Sequence, residues 1–292
     1  MDVREPCRAG TFYDASASSC RRQATTLIES ADLPDNLDPS PLGGLVPHAG
    51  WVYSGRLAAG TFKALAAARP QALKTIVLLG ADHTGTVRRG EVYDRGAWRT
   101  PLGLAEIDEE AARALVEFGG PFRANQAAHD YEHSIEVQIP LLQVLCAEAK
   151  IVPVAVPPTE LAVEIGQGIG EAMERLSRPF TVVGSTDLTH HGGHFPSPGG
   201  QGEQGVKYSV QNDRRMLDLI EAMKAEEVIA EAHRQQNACG AGAIAATIAA
   251  CKAMGAKVGR CLTYTNSYEV MKELSPDMQD YTTVGYASVI FT

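Results

Sequence analysis

No long apolar run occurs in this 292-residue sequence. The longest weakly polar stretch, residues 238–250, is alanine-rich and too short to span a bilayer. Basic residues are in deficit: Lys and Arg number 26 against 35 Asp and Glu, a formal net charge of -9. That balance speaks against a general affinity for nucleic acid or anionic membrane, so neither partner is expected. CxxC pairs are missing. The six cysteines, at 7, 20, 146, 239, 251 and 261, are scattered, which argues against a zinc knuckle or a disulfide framework. In a chain this large they read as reduced thiols of a cytoplasmic protein. Residues 1–14 are charged and polar and lack the apolar stretch of a signal peptide. No internal repeat, low-complexity tract or domain linker is visible.

Nucleotide motifs are also wanting. The run Gly240-Ala241-Gly242-Ala243-Ile244-Ala245 fits G-x-G-x-x-A but does not follow a strand, and Gly166-Gln167-Gly168-Ile169-Gly170 lies inside a helical segment. There is no P-loop and no G-x-S-x-G elbow. A nucleotide cofactor is therefore not expected.

With 45% hydrophobic and 21% charged residues, what is present is an ordinary globular composition. Residues 75–79 (TIVLL) are a continuous apolar run, as in a strand buried on both faces. Gly80 ends it, and Asp82-His83 follow. Residues 42–47 read as another buried strand, leading into His48. Residues 53–68 between them have helical spacing. Residues 150–156 and 180–184 read as strands, 159–176 as a helix, and 34–41 as a proline-rich loop. Residues 90–104 read as a hairpin-like excursion, and 262–267 and 283–291 as the final strands, the last one alternating and at or near the sheet edge. This alternation predicts a single α/β domain over residues 1–292. Its central, mostly parallel β-sheet is flanked by helices on both faces. Residues 192–205, rich in Gly, Pro and Gln, read as a mobile loop.

Three strands then end in loops that carry a histidine: His48, His83 and His190. In open α/β sheets, ligands bind beyond the carboxyl ends of the strands. Neutral imidazoles gathered there suit iron, copper, zinc or nickel. Cys239 precedes a small-residue helix, where backbone N–H groups favour a thiolate; the competing reading is a small core residue. Cys251 lies about 18 Å further along that helix and cannot share a site with it. Asp187 and His190 form a D-x-x-H pair, in which the carboxylate either orients the imidazole or caps a helix. His129 and His133 have i, i+4 spacing. His129 reads as structural, whereas His133 and Glu136 are placed to support the site from behind.

Several short pieces occur in one order: Ala9-Gly10-Thr11-Phe12-Tyr13, Pro47-His48-Ala49-Gly50, Tyr53-Ser54-Gly55 and Leu79-Gly80-Ala81-Asp82-His83. Thr100-Pro101-Leu102-Gly103, Glu132-His133-Ser134-Ile135-Glu136, Ser185-Thr186-Asp187 with His190, and Cys239-Gly240 follow. In this the chain resembles the Memo family (AmmeMemoRadiSam system protein B) over nearly its whole length. The resemblance implies a fold similar to the class III extradiol (LigB-like) dioxygenases, with cysteine replacing their carboxylate ligand. It implies His48, His83 and Cys239 as metal ligands, His190 lining the site and Asp187 beside it. It further implies Fe(II) or copper, with zinc as a third choice, a redox role, and a pathway link to a radical-SAM protein. The leading expectation is a redox-active non-haem metalloprotein or metalloenzyme that takes a small molecule or peptide in the metal cleft. Two alternatives stay open: an extradiol-type dioxygenase acting on an aromatic substrate, and a non-enzymatic peptide- or partner-binding module.

Overall fold

The computed structural model describes residues 2–35, 37 and 40–292; Asn36, Asp38 and Pro39 of the proline-rich connection lie outside the described residues. In chain order the strands are β1 (Val3–Arg4), β2 (Gly43–Val46), β3 (Thr75–Gly80), β4 (Gly90–Val92), β5 (Ala97–Thr100), β6 (Gly103–Glu106), β7 (Phe122–Ala124), β8 (Lys150–Ala155), β9 (Thr181–Ser185), β10 (His190–His191), β11 (Gly259–Asn266) and β12 (Thr283–Phe291). The helices are α1 (Ala17–Ser30), α2 (Trp51–Ala68), α3 (Glu109–Phe118), α4 (Ile139–Leu145), α5 (Leu161–Arg175), α6 (Gly202–Glu221), α7 (Ala225–Gln235), α8 (Ala241–Ala253) and α9 (Ser267–Leu274).

The main sheet has the order β10-β12-β2-β9-β3-β8-β4-β7, with β11 beside β12. Its centre, β2-β9-β3-β8, is parallel. All six residues of β3 are buried, as the unbroken TIVLL run requires. The expected α/β fold is therefore present, but parallel pairing does not extend across the sheet. β12 runs antiparallel to β2, β10 and β11, and β4 runs antiparallel to β8. β12 is also not an edge strand. It pairs on both sides, and its residues are buried at nearly every position rather than alternately. The excursion after β3 contributes β4 to this sheet. β5 and β6 instead form a hairpin that pairs with β1 in a second, three-stranded sheet.

Helices cover both faces. α2 packs on β2 and β12 together with α1 and α4, and α8 packs on β9, β2 and β3 together with α5 and α7. Burial of Phe62 and Leu65 on α2 stabilises the fold by about 1.5–3 kcal/mol each. The second glycine run has a packing role. A Cβ on Gly166 would stand 2.2 Å from the Ala246 carbonyl oxygen, and one on Gly170 would stand 2.6 Å from Ala253 Cβ. These glycines let α5 lie directly on the alanine-rich α8. Cys251 is fully buried on α8, facing Gly43 of β2. The loop expected over 192–205 ends earlier, because residues 202–205 form the first turn of α6. No helix among the described residues is long and apolar enough to cross a membrane.

β9 lies between β2 and β3 and runs parallel to both. The loops after all three strands therefore leave the same edge of the sheet, and the site is assembled there.

Candidate metal centre

β2 delivers His48, β3 delivers His83, and the segment entering α8 delivers Cys239. The ligand atoms of these three residues all lie within 4.8 Å of one another. The rings of His48 and His83 meet edge to face with centroids 5.1 Å apart, and Cys239 Sγ lies 3.1 Å from His48 Nε2. His48 is buried, while the His83 side chain is 31% exposed, so the cluster opens to a ligand on the His83 side.

The bonds behind each ring settle its tautomer. Ser185, the last residue of β9, donates its single hydroxyl hydrogen to the Ser134 carbonyl at 2.8 Å. Its oxygen lies 3.0 Å from His48 Nδ1 and so accepts from that nitrogen. Behind His83, the Glu132 carboxylate lies 3.0 Å from Nδ1, and its pKa is held well below the usual carboxylate range. Burial opposes that shift, but the bond to His83, the charge of His83 and the amides of Ser134 and His83 together outweigh it. An ionised carboxylate only accepts, so Nδ1 of His83 also carries the hydrogen. With Nδ1 committed behind each ring, Nε2 is the nitrogen that both imidazoles turn toward Cys239, where it holds a proton or, once that proton leaves, offers its lone pair to a cation. A histidine whose second nitrogen is held by a carboxylate is the usual form of a metal-ligating imidazole.

Charge adds to the picture. Burial pushes the Cys239 thiol up, but the charge of His48 and the hydrogen bonds from His48 and His83 bring it down to about 7. His83 moves the opposite way. Burial pulls it down, yet the bonds to Cys239 and Glu132 raise it to about 10. A thiolate and an imidazolium sharing one proton are the groups a cation would bind in that proton's place.

Cys239 is held by its neighbours. The Asp187 amide donates to Sγ at 3.3 Å, and the Cys239 amide donates to the Asp187 carbonyl at 3.2 Å. The next residue must be glycine, because a Cβ on Gly240 would stand 2.5 Å from the Ser185 carbonyl oxygen.

Other candidates occupy different stations. Asp187 is buried, but its Oδ1 accepts the His48 amide at 2.7 Å instead of orienting His190, and no helix follows it to be capped. Burial raises this carboxyl to about 6 against the pull of the His48 amide and His190. His190 lines the same cavity, with its ring 4.9 Å from Phe195. His133 reaches the centre more closely than a purely supporting residue would, stacking on His83 at 4.7 Å and meeting His48 at 5.4 Å. Burial, then His48 and His83, lower its pKa to about 3, so it is neutral at physiological pH. Glu136 touches none of the imidazoles. It is fully buried and binds Arg4 at 2.7 Å, the amides of Cys7 and Arg8 at 2.8 Å, and the Tyr13 hydroxyl at 2.9 Å. Its role is to fasten the N-terminal segment, which forms one wall of the cavity. His129 is structural: its Nε2 lies 2.8 Å from the Glu91 carbonyl, away from the site. His194 and His233 are exposed.

Glu132 and Ser185 are the residues that sequence reasoning passed over. The available signal was the carboxylate immediately before His133 and the hydroxyl at the end of an apolar strand. The cavity lined by His48 and His83 has a volume of about 1200 Å³, and Phe12, Tyr53 and Tyr286 contribute aromatic surface to its lining.

Residues 4–290 match the family model described as Memo-like protein. A MEMO1 family protein of Methanopyrus kandleri is 39% identical over 298 residues, covering 99% of this chain and 98% of that protein. One from Thermococcus onnurineus is 33% identical over 306 residues, covering 99% of each. A solved structure of an uncharacterized protein from Escherichia coli K12 aligns with a TM-score of 0.49 at 12% identity, over 78% of this chain and 89% of that one. The chain belongs to the Memo-like family.

Proposed function

We propose that this Memo-like protein binds one transition-metal ion through His48 Nε2, His83 Nε2 and Cys239 Sγ, and works as a redox-active non-haem metalloprotein. The observation that carries the reading is the approach of these three ligand atoms to within 4.8 Å, with Nδ1 of each ring already committed to Ser185 or Glu132. Two imidazoles and a thiolate fit Fe(II) or copper, with zinc as the third choice; the soft sulfur disfavours magnesium, calcium and manganese. Bound iron or copper would supply one-electron chemistry and an open position for a ligand.

The chain's own residues account for the rest. Glu132 and Ser185 hold the imidazoles in the ligating tautomer. Neutral His133 and Asp187, whose carboxyl burial raises to about 6, flank the open side, where each can take or give a proton to a bound molecule. Phe12, Tyr53 and Tyr286 offer flat apolar surface to a small organic molecule or peptide side chain. A thiolate in place of a carboxylate makes Cys239 oxidisable, which sets this centre apart from a carboxylate-ligated dioxygenase site.

X-ray absorption on the iron- or copper-loaded protein tests the assignment. The expected first shell contains one sulfur and at least two imidazole nitrogens. A shell of nitrogen and oxygen alone would refute it.

A further inference from the structure

Two loops meet at Cys239, and one pair of residues on α6 holds both. The first loop is the turn 186–190 after β9; the second is the segment 236–240 between α7 and α8. Asn212 and Asp213 face inward from α6 and are 2% and 0% exposed. Asp213 Oδ1 accepts the Thr189 amide at 2.7 Å, and Oδ2 accepts the Tyr264 hydroxyl of β11 at 2.7 Å. Asn212 Nδ2 donates to Thr189 Oγ1 at 3.1 Å and to the Gln235 carbonyl at 2.9 Å. The main-chain carbonyl of Asn212 in turn accepts from Asn237 Nδ2 at 3.0 Å.

The second loop needs such a hold. α7 ends at Gln236 in a left-handed conformation (φ 51°), which a non-glycine side chain adopts at a cost. The first loop is also pinned from β12, where the Leu188 amide donates to the Gly285 carbonyl at 2.8 Å. Gly285 leaves the space that Asp213 fills, because a Cβ there would overlap the carboxylate.

From this geometry we infer that Asn212 and Asp213 are positioning residues of the metal centre, a clamp that fixes where Cys239 Sγ stands relative to His48 and His83. The inference rests on the metal-binding reading above. The clamp acts through the loops: Thr189 sets the turn that aims the Asp187 amide at Sγ, while Gln235 and Asn237 set the approach to Cys239. A purely structural pair would affect melting temperature alone; a positioning pair changes the metal's sulfur bond in protein that is still folded.

Anaerobic Co(II) titration separates the two. In wild type the thiolate-to-cobalt charge-transfer band reports the sulfur bond, and the midpoint reports affinity. Asn212→Asp keeps the shape but removes both donated hydrogens. Asp213→Ala removes the acceptor of the Thr189 amide, which Asp213→Asn retains through its amide oxygen. Loss of a bond made directly to a metal ligand weakens metal binding about 10–100-fold, and this clamp, acting one bond further out, should reach the lower end of that range. Asn212→Asp and Asp213→Ala are expected to fall there with a shifted or weakened band, and Asp213→Asn to recover most of the loss. If Asn212→Asp does not fold, Asn237→Ala removes one arm of the same clamp and is expected to show the same sign. Wild-type affinity and an unshifted band in folded Asn212→Asp (or, in its place, Asn237→Ala) and in Asp213→Ala would overturn the inference. Failure of the underlying reading looks different: Cys239→Ala would then bind Co(II) as wild type does.

Discussion

Replacing Glu132 by glutamine tests how far the centre depends on the group behind His83. The Glu132 side chain is 1% exposed, and both of its oxygens stand within 3.1 Å of His83 Nδ1. It also accepts the amides of His83 at 3.1 Å and Ser134 at 2.7 Å. Glutamine has the same shape but no charge, and one of its two terminal atoms becomes a donor facing donors. The imidazole loses basicity, and its hold in the ligating orientation weakens. Losses of this type cost about 10–100-fold in metal affinity, or about 1.4–2.7 kcal/mol. The assay is anaerobic competition for zinc or cobalt against a chromophoric chelator. In metal-free protein, NMR titration of the His83 ring should show its pKa falling from about 10, because both the bond to Glu132 and its charge raise that value. Wild-type affinity together with an unmoved His83 titration in Glu132→Gln would refute the carboxylate's role.

Three further outcomes follow from individual residues. His129 is fully buried, and burial lowers its pKa to about 4, whereas the unfolded chain titrates near 6.5. Between those values the unfolded state binds more protons, so stability should fall by about 3 kcal/mol as pH drops from about 6.5 to about 4. Urea unfolding across that range checks it; an equally steep slope in His129→Gln would refute it. Gly240→Ala pushes a methyl group against the Ser185 carbonyl oxygen and should cost about 1–3 kcal/mol of stability and displace Cys239. A melting temperature and metal affinity equal to wild type would count against the close approach. Glu136→Ala leaves Arg4 buried without its partner and should cost about 3–5 kcal/mol. Amide exchange should rise over residues 5–15, and exchange unchanged there would show that the N-terminal wall is fastened elsewhere.

How much of this was legible in the sequence depended on how local the cause was. The buried strand at 75–79 and the histidine at its exit could be read directly, because an apolar run bounded by glycine has few other uses. His48 followed from the same logic at the end of β2. The insertion of β9 between β2 and β3 could not be read, since pairing order is set by long-range packing and not by local pattern. Nor could the antiparallel pairing of β12: its sequence reads as alternating and suggests an edge strand, whereas it pairs on both sides and is buried at nearly every position. The choice between Glu132 and Glu136 was hidden for a related reason. Helical spacing does not hold through 132–136, because the chain there is irregular and enters a tight turn at Glu136–Gln138 before α4 begins. Glu132 therefore faces His83, while Glu136 faces the N-terminal segment. Pro140 lies in the first turn of α4, where its missing N–H leaves no bond unmade. Cys239 was marked by its place before a small-residue helix and by family resemblance; its contact with His48 became visible only in the folded chain.

Metal content after anaerobic purification tests the central claim most directly. Wild type and Cys239→Ala, prepared in parallel and measured by elemental analysis, should differ sharply. The expected result is close to one iron or copper per chain in wild type and a small fraction of that in the variant. Equal, substoichiometric metal in both would contradict a centre built on His48, His83 and Cys239.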